Sequence, residues 1–311
     1  MKTVHISILN IYQNKLKNEK YNIFYQFCCL KGILVKMNVL YCGDRNIEKG
    51  LIISILSLIK NNDEILNIYV LTIESKKLNI NGVTDRCIRV LDELIKEKNE
   101  KNKISKIDIT DMFEKEIPVI NMSTRFTPCC MLRLFADEID NLPDKILYLD
   151  NDVICRENCY DFYNQDITNF EFAGTLDYYG KWFFKRNFLK FDYINSGVLL
   201  LNLKKIRETK LFKNARRMCT TKKMFMPDQS SINKLAINKK ILPRKYNEQR
   251  KLKGDTVFQH FTTSFRLFPY FHRVTIKPWD ISNLHKYLKI FEYDDILKQY
   301  LSIQNDIKEN I

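Results

Sequence analysis

The chain has 311 residues, of which 45% are hydrophobic and 28% charged, and its formal net charge is +14. This composition is typical of a soluble globular protein with one large domain or two smaller ones. The lysines are spread along the whole chain without a helix-turn-helix, zinc-finger or RNP-type signature, so the positive charge does not predict dedicated nucleic-acid binding.

Regular patterning begins at Met37. The apolar stretch before it is interrupted by polar residues and is too short for a membrane span, which needs about 20 apolar residues. We therefore predict an N-terminal extension at 1–36 and a single domain at 37–311. The nine cysteines form no CxxC motif, and their number is odd, which favours reduced thiols and a cytoplasmic protein. The basic surface is also compatible with peripheral association at a membrane.

The first half of the predicted domain alternates between strand and helix patterns. Strands are predicted at 37–44, 66–73, 103–109 and 145–149, and helices at 48–62, 86–102 and 128–139. Such alternation predicts an α/β fold with right-handed crossovers and a mostly parallel central sheet flanked by helices.

The second half is less regular. Strands are predicted at 170–179 and 193–203, helices at 203–220, 227–237 and 282–303, and irregular structure at 243–280. No internal repeat or linker divides the region, which is why 37–311 is treated as one domain.

Two carboxylates, Asp150 and Asp152, directly follow the apolar strand at 145–149, and Asp44 ends the first strand. In open α/β sheets, ligands bind beyond the carboxyl ends of the strands. Two neighbouring acids in that place repel each other unless a cation lies between them. Mg²⁺ and Mn²⁺ prefer oxygen ligands and are commonly held by one or two carboxylates together with substrate phosphates. The pattern predicts a divalent metal site.

Two other functions fit parts of the sequence. A strand followed by D-x-D is also typical of haloacid-dehalogenase-like phosphatases, although Ile154 stands where that motif has Thr or Val. The alternative without catalysis is a basic module that binds nucleic acid or an anionic membrane, and such binding would collapse with salt.

Five segments in a fixed order carry a resemblance to a known family. They are "NVLYCGDRN" (38–46), "RLFADEI" with "KILYLDNDV" (133–153), "DYINSGVLLLNLKKIR" (192–207), "MPDQSSIN" (226–233), and "QHF" with "KPWD" (259–280). Together they resemble glycosyltransferase family 8, which includes glycogenin and bacterial lipopolysaccharide galactosyltransferases. The resemblance implies a GT-A type nucleotide-binding fold and a Mn²⁺-dependent retaining transfer of glucose or galactose from a UDP-sugar to a glycan, lipid or protein acceptor.

The resemblance also implies donor-binding residues. Asp44 and Asn46 would contact the uracil and ribose, and Lys277 would contact the diphosphate. Arg133 would reach the sugar or diphosphate, with an exposed surface arginine as the alternative. Asn195 would hydrogen-bond to the donor sugar, with a simple turn residue as the alternative.

The metal ligands implied by the resemblance are Asp150, Asp152 and a histidine, with Mn²⁺ as the ion and Mg²⁺ as the alternative. The spacing between His260 and Lys277 is longer than the family pattern, and it contains a second histidine, His272. We expect His260 to be the ligand, because a strand-like segment precedes it, whereas His272 stands next to a cation, Arg273. The opposite assignment requires the long spacer to loop out and return His272 to the metal.

Asp228 and Gln229 would flank the anomeric carbon, and Asp177 would face the acceptor. A retaining enzyme normally uses a carboxylate nucleophile. A neutral amide is a poor nucleophile but supports positive charge at the anomeric carbon. Gln229 therefore implies a front-face displacement, unless Asp228 is the nucleophile.

Overall fold

The computed structural model describes residues 35–122, 128–180, 192–266 and 272–309. Eleven strands are found in these ranges: β1 (Lys36–Cys42), β2 (Ile65–Thr72), β3 (Lys103–Asp108), β4 (Lys145–Leu149), β5 (Val153–Cys155), β6 (Phe172–Leu176), β7 (Ile194–Asn202), β8 (Lys239–Leu242), β9 (Phe258–His260), β10 (Ser264–Arg266) and β11 (His272–Val274). The predicted extension at 1–36 lies outside the described residues, apart from 35 and 36, and stays a prediction.

The helices of the same ranges are mostly short. The α-helices are α1 (Glu48–Asn61), α2 (Asp85–Lys98), α3 (Thr110–Lys115), α4 (Tyr160–Tyr163), α5 (Leu203–Thr209), α6 (Leu211–Thr221), α7 (Pro227–Leu235), α8 (Ile281–Asn283) and α9 (Asp294–Glu309). The 3-10 helices lie at Arg45–Ile47, Val119–Asn121, Pro128–Glu138 and Arg244–Tyr246, and a π-helix lies at Leu284–Leu288.

A seven-stranded sheet forms the centre, in the order β3-β2-β1-β4-β7-β6-β8. The pairs β2/β3, β1/β4 and β6/β8 are parallel, and β7 runs antiparallel to both of its neighbours. Strands covered on both faces are expected to be apolar throughout, and β7 is buried at every position except its last. The predicted α/β class with a mostly parallel sheet flanked by helices is confirmed.

The structure corrects three predicted elements. The helix predicted at 203–220 is divided into α5 and α6 by Lys210, whose φ of 57° lies in the left-handed region. The helix predicted at 282–303 is interrupted between Leu288 and Asp294, where Lys289 has a φ of 56°. The stretch 243–280, predicted to be irregular, contains β9 and the hairpin of β10 and β11. Single left-handed residues end a helix without leaving any mark in hydrophobic periodicity.

That hairpin accounts for the long spacer between His260 and Lys277. Ser264 pairs with Val274, and the hydroxyls of Thr263 and Thr275 lie 2.9 Å apart at its base. The two ends of the hairpin therefore lie next to each other. No helix in the described ranges is both long and apolar enough to cross a membrane.

Candidate active site

Strand order brings two polar motifs together at one edge of the sheet. Because β7 is antiparallel to β4, the start of β7 lies beside the end of β4, and Leu149 pairs with Val198. The backbone N–H of Asp150 donates to the carbonyl of Gly197 at 2.8 Å. The D-x-D segment and the "INSG" segment thus meet as a consequence of sheet topology.

Asp150, Asp152 and His260 form a group that could hold a metal ion, since one ligand atom from each lies within 4.8 Å of the others. Pairing of Val153 with His260 between β5 and β9 places the imidazole beside the D-x-D turn. His260 Nε2 lies 3.1 Å from Asp152 Oδ1 and 3.6 Å from Asp150 Oδ2. His272 lies in β11, and its side chain is outside the described residues.

The chemistry of this group fits a cation. Within the described part of the chain, Oδ1 of Asp152 is buried and has no hydrogen-bond partner, although His260 Nε2 is nearby. A buried carboxylate oxygen without a partner is costly unless a cation or donor reaches it. Two carboxylates and one imidazole are a donor set that fits a divalent metal ion.

Two cationic side chains balance the charges of the D-x-D acids. Arg133 Nη2 donates to Asp150 Oδ1 at 2.9 Å, and Lys277 Nζ contacts Asp152 Oδ2. Burial disfavours ionisation of Asp152, but the Lys277 ammonium outweighs it and holds the pKa of this carboxyl below its usual value. The repulsion expected between the two acids is therefore offset by the protein itself.

Arg133 is buried, with 3% exposure, so the alternative of an exposed surface arginine is wrong. Its guanidinium lies 4.0 Å from the centroid of the Tyr148 ring, and its Nε is 3.4 Å from Asp228 Oδ2. Burial raises the pKa of Asp228, and Arg133 opposes that rise. Arg133 therefore lies between Asp150 and Asp228 and pairs with both carboxylates.

A hydrogen-bonded network surrounds Gln229. Its Oε1 accepts from the backbone N–H of Ser196 at 2.8 Å, and its Nε2 lies 3.4 Å from Asp177 Oδ2. Asn195 Nδ2 donates to the same oxygen of Asp177 at 2.8 Å. The predicted residues Asp177, Asn195, Asp228 and Gln229 are thus brought together and are all buried.

Asp44 and Asn46 form a pair at the end of β1. Asp44 caps the 3-10 helix by accepting from the backbone N–H and the side-chain amide of Asn46, both at 3.0 Å. Among the contacts described, these two residues bind each other rather than the D-x-D acids. They lie at the carboxyl end of the strand next to β4, where a ligand is expected in such sheets.

The "KPWD" segment packs next to the D-x-D turn, and helix α1 contacts both. A Cβ built on Gly50 would lie 2.3 Å from the carbonyl oxygen of Asn151 and 2.6 Å from the Trp279 ring. Only glycine allows the helix, the turn and the indole to approach this closely. Trp279 therefore covers the turn while Lys277 reaches Asp152.

Three site residues are missing from the sequence prediction. Tyr148 donates its hydroxyl to Asp150 Oδ1 at 2.6 Å, Ser196 holds Gln229, and Asn247 lies 3.2 Å from His260 Nδ1. Ser196 and Tyr148 lie within the motifs "DYINSGVLLLNLKKIR" and "KILYLDNDV", so their positions in the sequence could have identified them. Asn247 lies in the stretch predicted to be irregular, and no local pattern marks it.

Comparisons with known proteins agree with the resemblance. Residues 38–282 match Glycosyl transferase family 8. A lipopolysaccharide 1,2-glucosyltransferase of Escherichia coli is 26% identical over 302 residues, covering 85% of both chains. A putative glycosyltransferase of Haemophilus influenzae is 26% identical over 188 residues, covering 58% of this chain and 52% of that protein, so this match spans about half of the relative.

Solved structures support the fold. The galactosyltransferase LgtC in complex with donor and acceptor sugar analogs has a TM-score of 0.60 at 17% identity, covering 86% of this chain and 96% of LgtC. At that identity the likeness shows the GT-A type fold alone. The family match covers more than half of the chain and favours a transferase over the phosphatase and the basic binding module. The chain belongs to glycosyl transferase family 8.

Proposed function

We propose that this protein is a metal-dependent retaining hexosyltransferase that moves glucose or galactose from a UDP-sugar to a saccharide-bearing acceptor. The observation that carries the proposal is the group of Asp150, Asp152 and His260, which lies beside the buried network of Gln229 at the edge of the sheet. Transfer from a nucleoside diphosphate sugar requires a metal site for the diphosphate next to polar groups for the sugar, and the two groups of residues supply both.

The donor would be held by its diphosphate and its nucleoside. Asp150, Asp152 and His260 would bind Mn²⁺, which supplies Lewis-acid stabilisation of the leaving diphosphate when bound. Lys277, 29% exposed at its side chain, is accessible to a phosphate oxygen once the ion replaces it at Asp152. Asp44 and Asn46 would contact the ribose and uracil at the neighbouring strand end.

The donor sugar would lie against Arg133, Asn195 and Gln229. Asp228 is a poor candidate for the nucleophile, because its carboxylate is paired with the Arg133 guanidinium and lies 3.4 Å from the Ser196 hydroxyl. Gln229 is fixed by Ser196 and Asp177, so its amide is positioned without being reactive. These contacts favour a front-face displacement in which Gln229 supports positive charge at the anomeric carbon.

The acceptor is the least defined partner. Asp177 is proposed to face it, since this carboxylate lies on the far side of Gln229 from Ser196. The relative named lipopolysaccharide 1,2-glucosyltransferase favours a saccharide carried on a lipid. Such an acceptor fits peripheral association of the +14 chain with an anionic membrane, and seven described cysteines are free, as in a reducing cytoplasm.

A donor screen tests the proposal. Purified protein with Mn²⁺ is incubated with each UDP-sugar, and release of UDP is measured together with release of inorganic phosphate. We expect UDP from UDP-glucose or UDP-galactose, retained anomeric configuration in any product, and a fall of about 10²-fold or more in kcat for Gln229→Ala. Release of phosphate without UDP would instead indicate the phosphatase.

One variant tests the nucleophile in the same assay, and a second serves as its control. Asp228→Asn should retain measurable turnover if Asp228 is not the nucleophile, whereas complete loss with normal donor binding would indicate a covalent intermediate. Asn164→Ala, at the end of α4 and away from the D-x-D turn, serves as a control that should leave UDP release unchanged.

A further inference from the structure

Asn247 lies between the candidate metal ligand and the sugar-binding network. It follows the 3-10 helix Arg244–Tyr246 and is fully buried. Its Nδ2 donates to Asn195 Oδ1 at 3.0 Å, and its Oδ1 lies 3.2 Å from His260 Nδ1. Because Glu248 pairs through its backbone with Phe258 and His260, the segment is held against β9.

The orientations of the Asn195 and Asn247 side-chain amides follow from neighbouring groups that can only donate or can only accept a hydrogen bond. The backbone N–H of Gly197 can only donate, and it donates to Asn195 Oδ1 at 3.0 Å. The Asp177 carboxylate accepts from the backbone N–H of Tyr179 at 3.0 Å and from Asn195 Nδ2 at 2.8 Å. If the Asn195 amide were flipped, its Nδ2 would face the N–H donor of Gly197, and its Oδ1 would face the carboxylate acceptor of Asp177.

The orientation of the Asn247 amide follows from that of Asn195, to which it is hydrogen-bonded. A flip of Asn247 would place its oxygen against Asn195 Oδ1, at a distance where two acceptors repel. The oxygen of Asn247 therefore faces His260, and the proton of the neutral imidazole lies on Nδ1. This leaves the lone pair of Nε2 directed at the carboxylates of Asp150 and Asp152.

We propose that Asn247 is a positioning residue that fixes the Nδ1–H tautomer and the ring orientation of His260, so that Nε2 is presented to the metal ion. The residue also joins the metal group to Asn195 and Asp177, so the ligand and the sugar-binding amides share one network. This inference rests on the metal site of the proposed function. Partners of this kind orient metal-binding histidines, and their removal typically lowers metal affinity about 10- to 100-fold.

The test measures Mn²⁺ affinity without donor or acceptor, from the electron paramagnetic resonance signal of free Mn²⁺. Asn247→Leu removes the acceptor while keeping the number and branching of the side-chain heavy atoms. Asn62→Leu is the matched control, because Asn62 is also buried and hydrogen-bonded, but its partners are Leu58, Cys155 and Cys159 rather than His260. We expect Asn247→Leu to weaken Mn²⁺ binding at least about tenfold, and Asn62→Leu to leave it within about twofold of the wild-type value.

A spectroscopic measurement separates positioning from a general loss of folding. In the Zn²⁺-loaded wild-type protein, ¹⁵N NMR should show the metal on His260 Nε2 and a proton on Nδ1. Asn247→Asp keeps an oxygen acceptor for His260 Nδ1 and should retain the proton there. In Asn247→Leu the protected NMR signal of that proton should be lost.

The outcomes are distinguishable. Wild-type affinity for Mn²⁺ in Asn247→Leu, equal losses in both leucine variants, or metal on Nδ1 would each overturn the role of Asn247 while leaving the metal site standing. Failure of the wild-type protein itself to bind Mn²⁺ would overturn the metal site, and this inference with it.

Discussion

Gly197 and His260 are packed so closely that no larger residue fits at position 197. A Cβ built on Gly197 would lie 2.1 Å from Cε1 of His260, and 2.7 Å from its Nδ1. It would also lie 2.8 Å from Oδ2 of Asp150. The glycine is required here by the close approach of the His260 ring to the strand, and this relationship leads to the first prediction.

Gly197→Ala should displace the His260 ring and weaken Mn²⁺ binding by at least about tenfold, with a loss of about 1–3 kcal/mol in the free energy of unfolding from overpacking. Gly254→Ala is the control, because a Cβ at that position meets nothing within 4 Å. Titration with Mn²⁺ and chemical denaturation measure the two effects. Equal behaviour of both variants would show that His260 is not held against Gly197.

Asp152→Asn should abolish the rise in Tm that Mn²⁺ gives the wild-type protein, because ligand binding to the folded state stabilises it and the variant loses a charged ligand. The expected loss of affinity is at least about tenfold, or about 1.4 kcal/mol of binding free energy. Asp144→Asn, which removes an exposed ion pair with Arg207, is the control. A wild-type Mn²⁺ response in Asp152→Asn would contradict the metal site.

Arg133→Met should destabilise the protein by about 3–5 kcal/mol, because it leaves the carboxylates of Asp150 and Asp228 without their shared buried cation. Arg133→Lys should not restore stability fully, since an ammonium cannot reproduce the planar donors or the stacking on Tyr148. Urea denaturation measures both, with Arg217→Met on the exposed face of α6 as the control. A loss below about 1 kcal/mol would show that Arg133 is not the neutralising group.

His260→Ala should lower Mn²⁺ affinity in the presence of UDP, whereas His272→Ala should not. His260 pairs with Val153, next to the D-x-D turn, whereas His272 pairs with Arg266 in the hairpin of β10 and β11. His285→Ala is a further control, since its imidazole pairs with Asp294. Isothermal titration with Mn²⁺ decides the assignment. A large loss confined to His272→Ala would reverse it.

Much of the fold follows from local pattern. The strand at 145–149 and helix α1 were predictable from continuous apolar runs, because a strand or helix buried in an α/β core needs them along its length. The breaks at Lys210 and Lys289 were not, because a left-handed residue other than glycine has no periodic signature. The short strand β9 depends on a pairing partner, β5, that is distant in sequence.

The sequence by itself determined most of the elements in the first half of the domain, their order along the chain and the candidate acids, because periodicity and the D-x-D motif are local properties. Only the tertiary structure decided which charges neutralise one another. The antiparallel direction of β7 brings Gly197 to Asp150, the β5 and β9 pairing brings His260 to Asp152, and the fold buries Arg133 between two acids. Pairings between residues far apart in the sequence, up to about a hundred positions for His260 and Asp152, depend on strand order and burial, and these arise only when the whole chain packs.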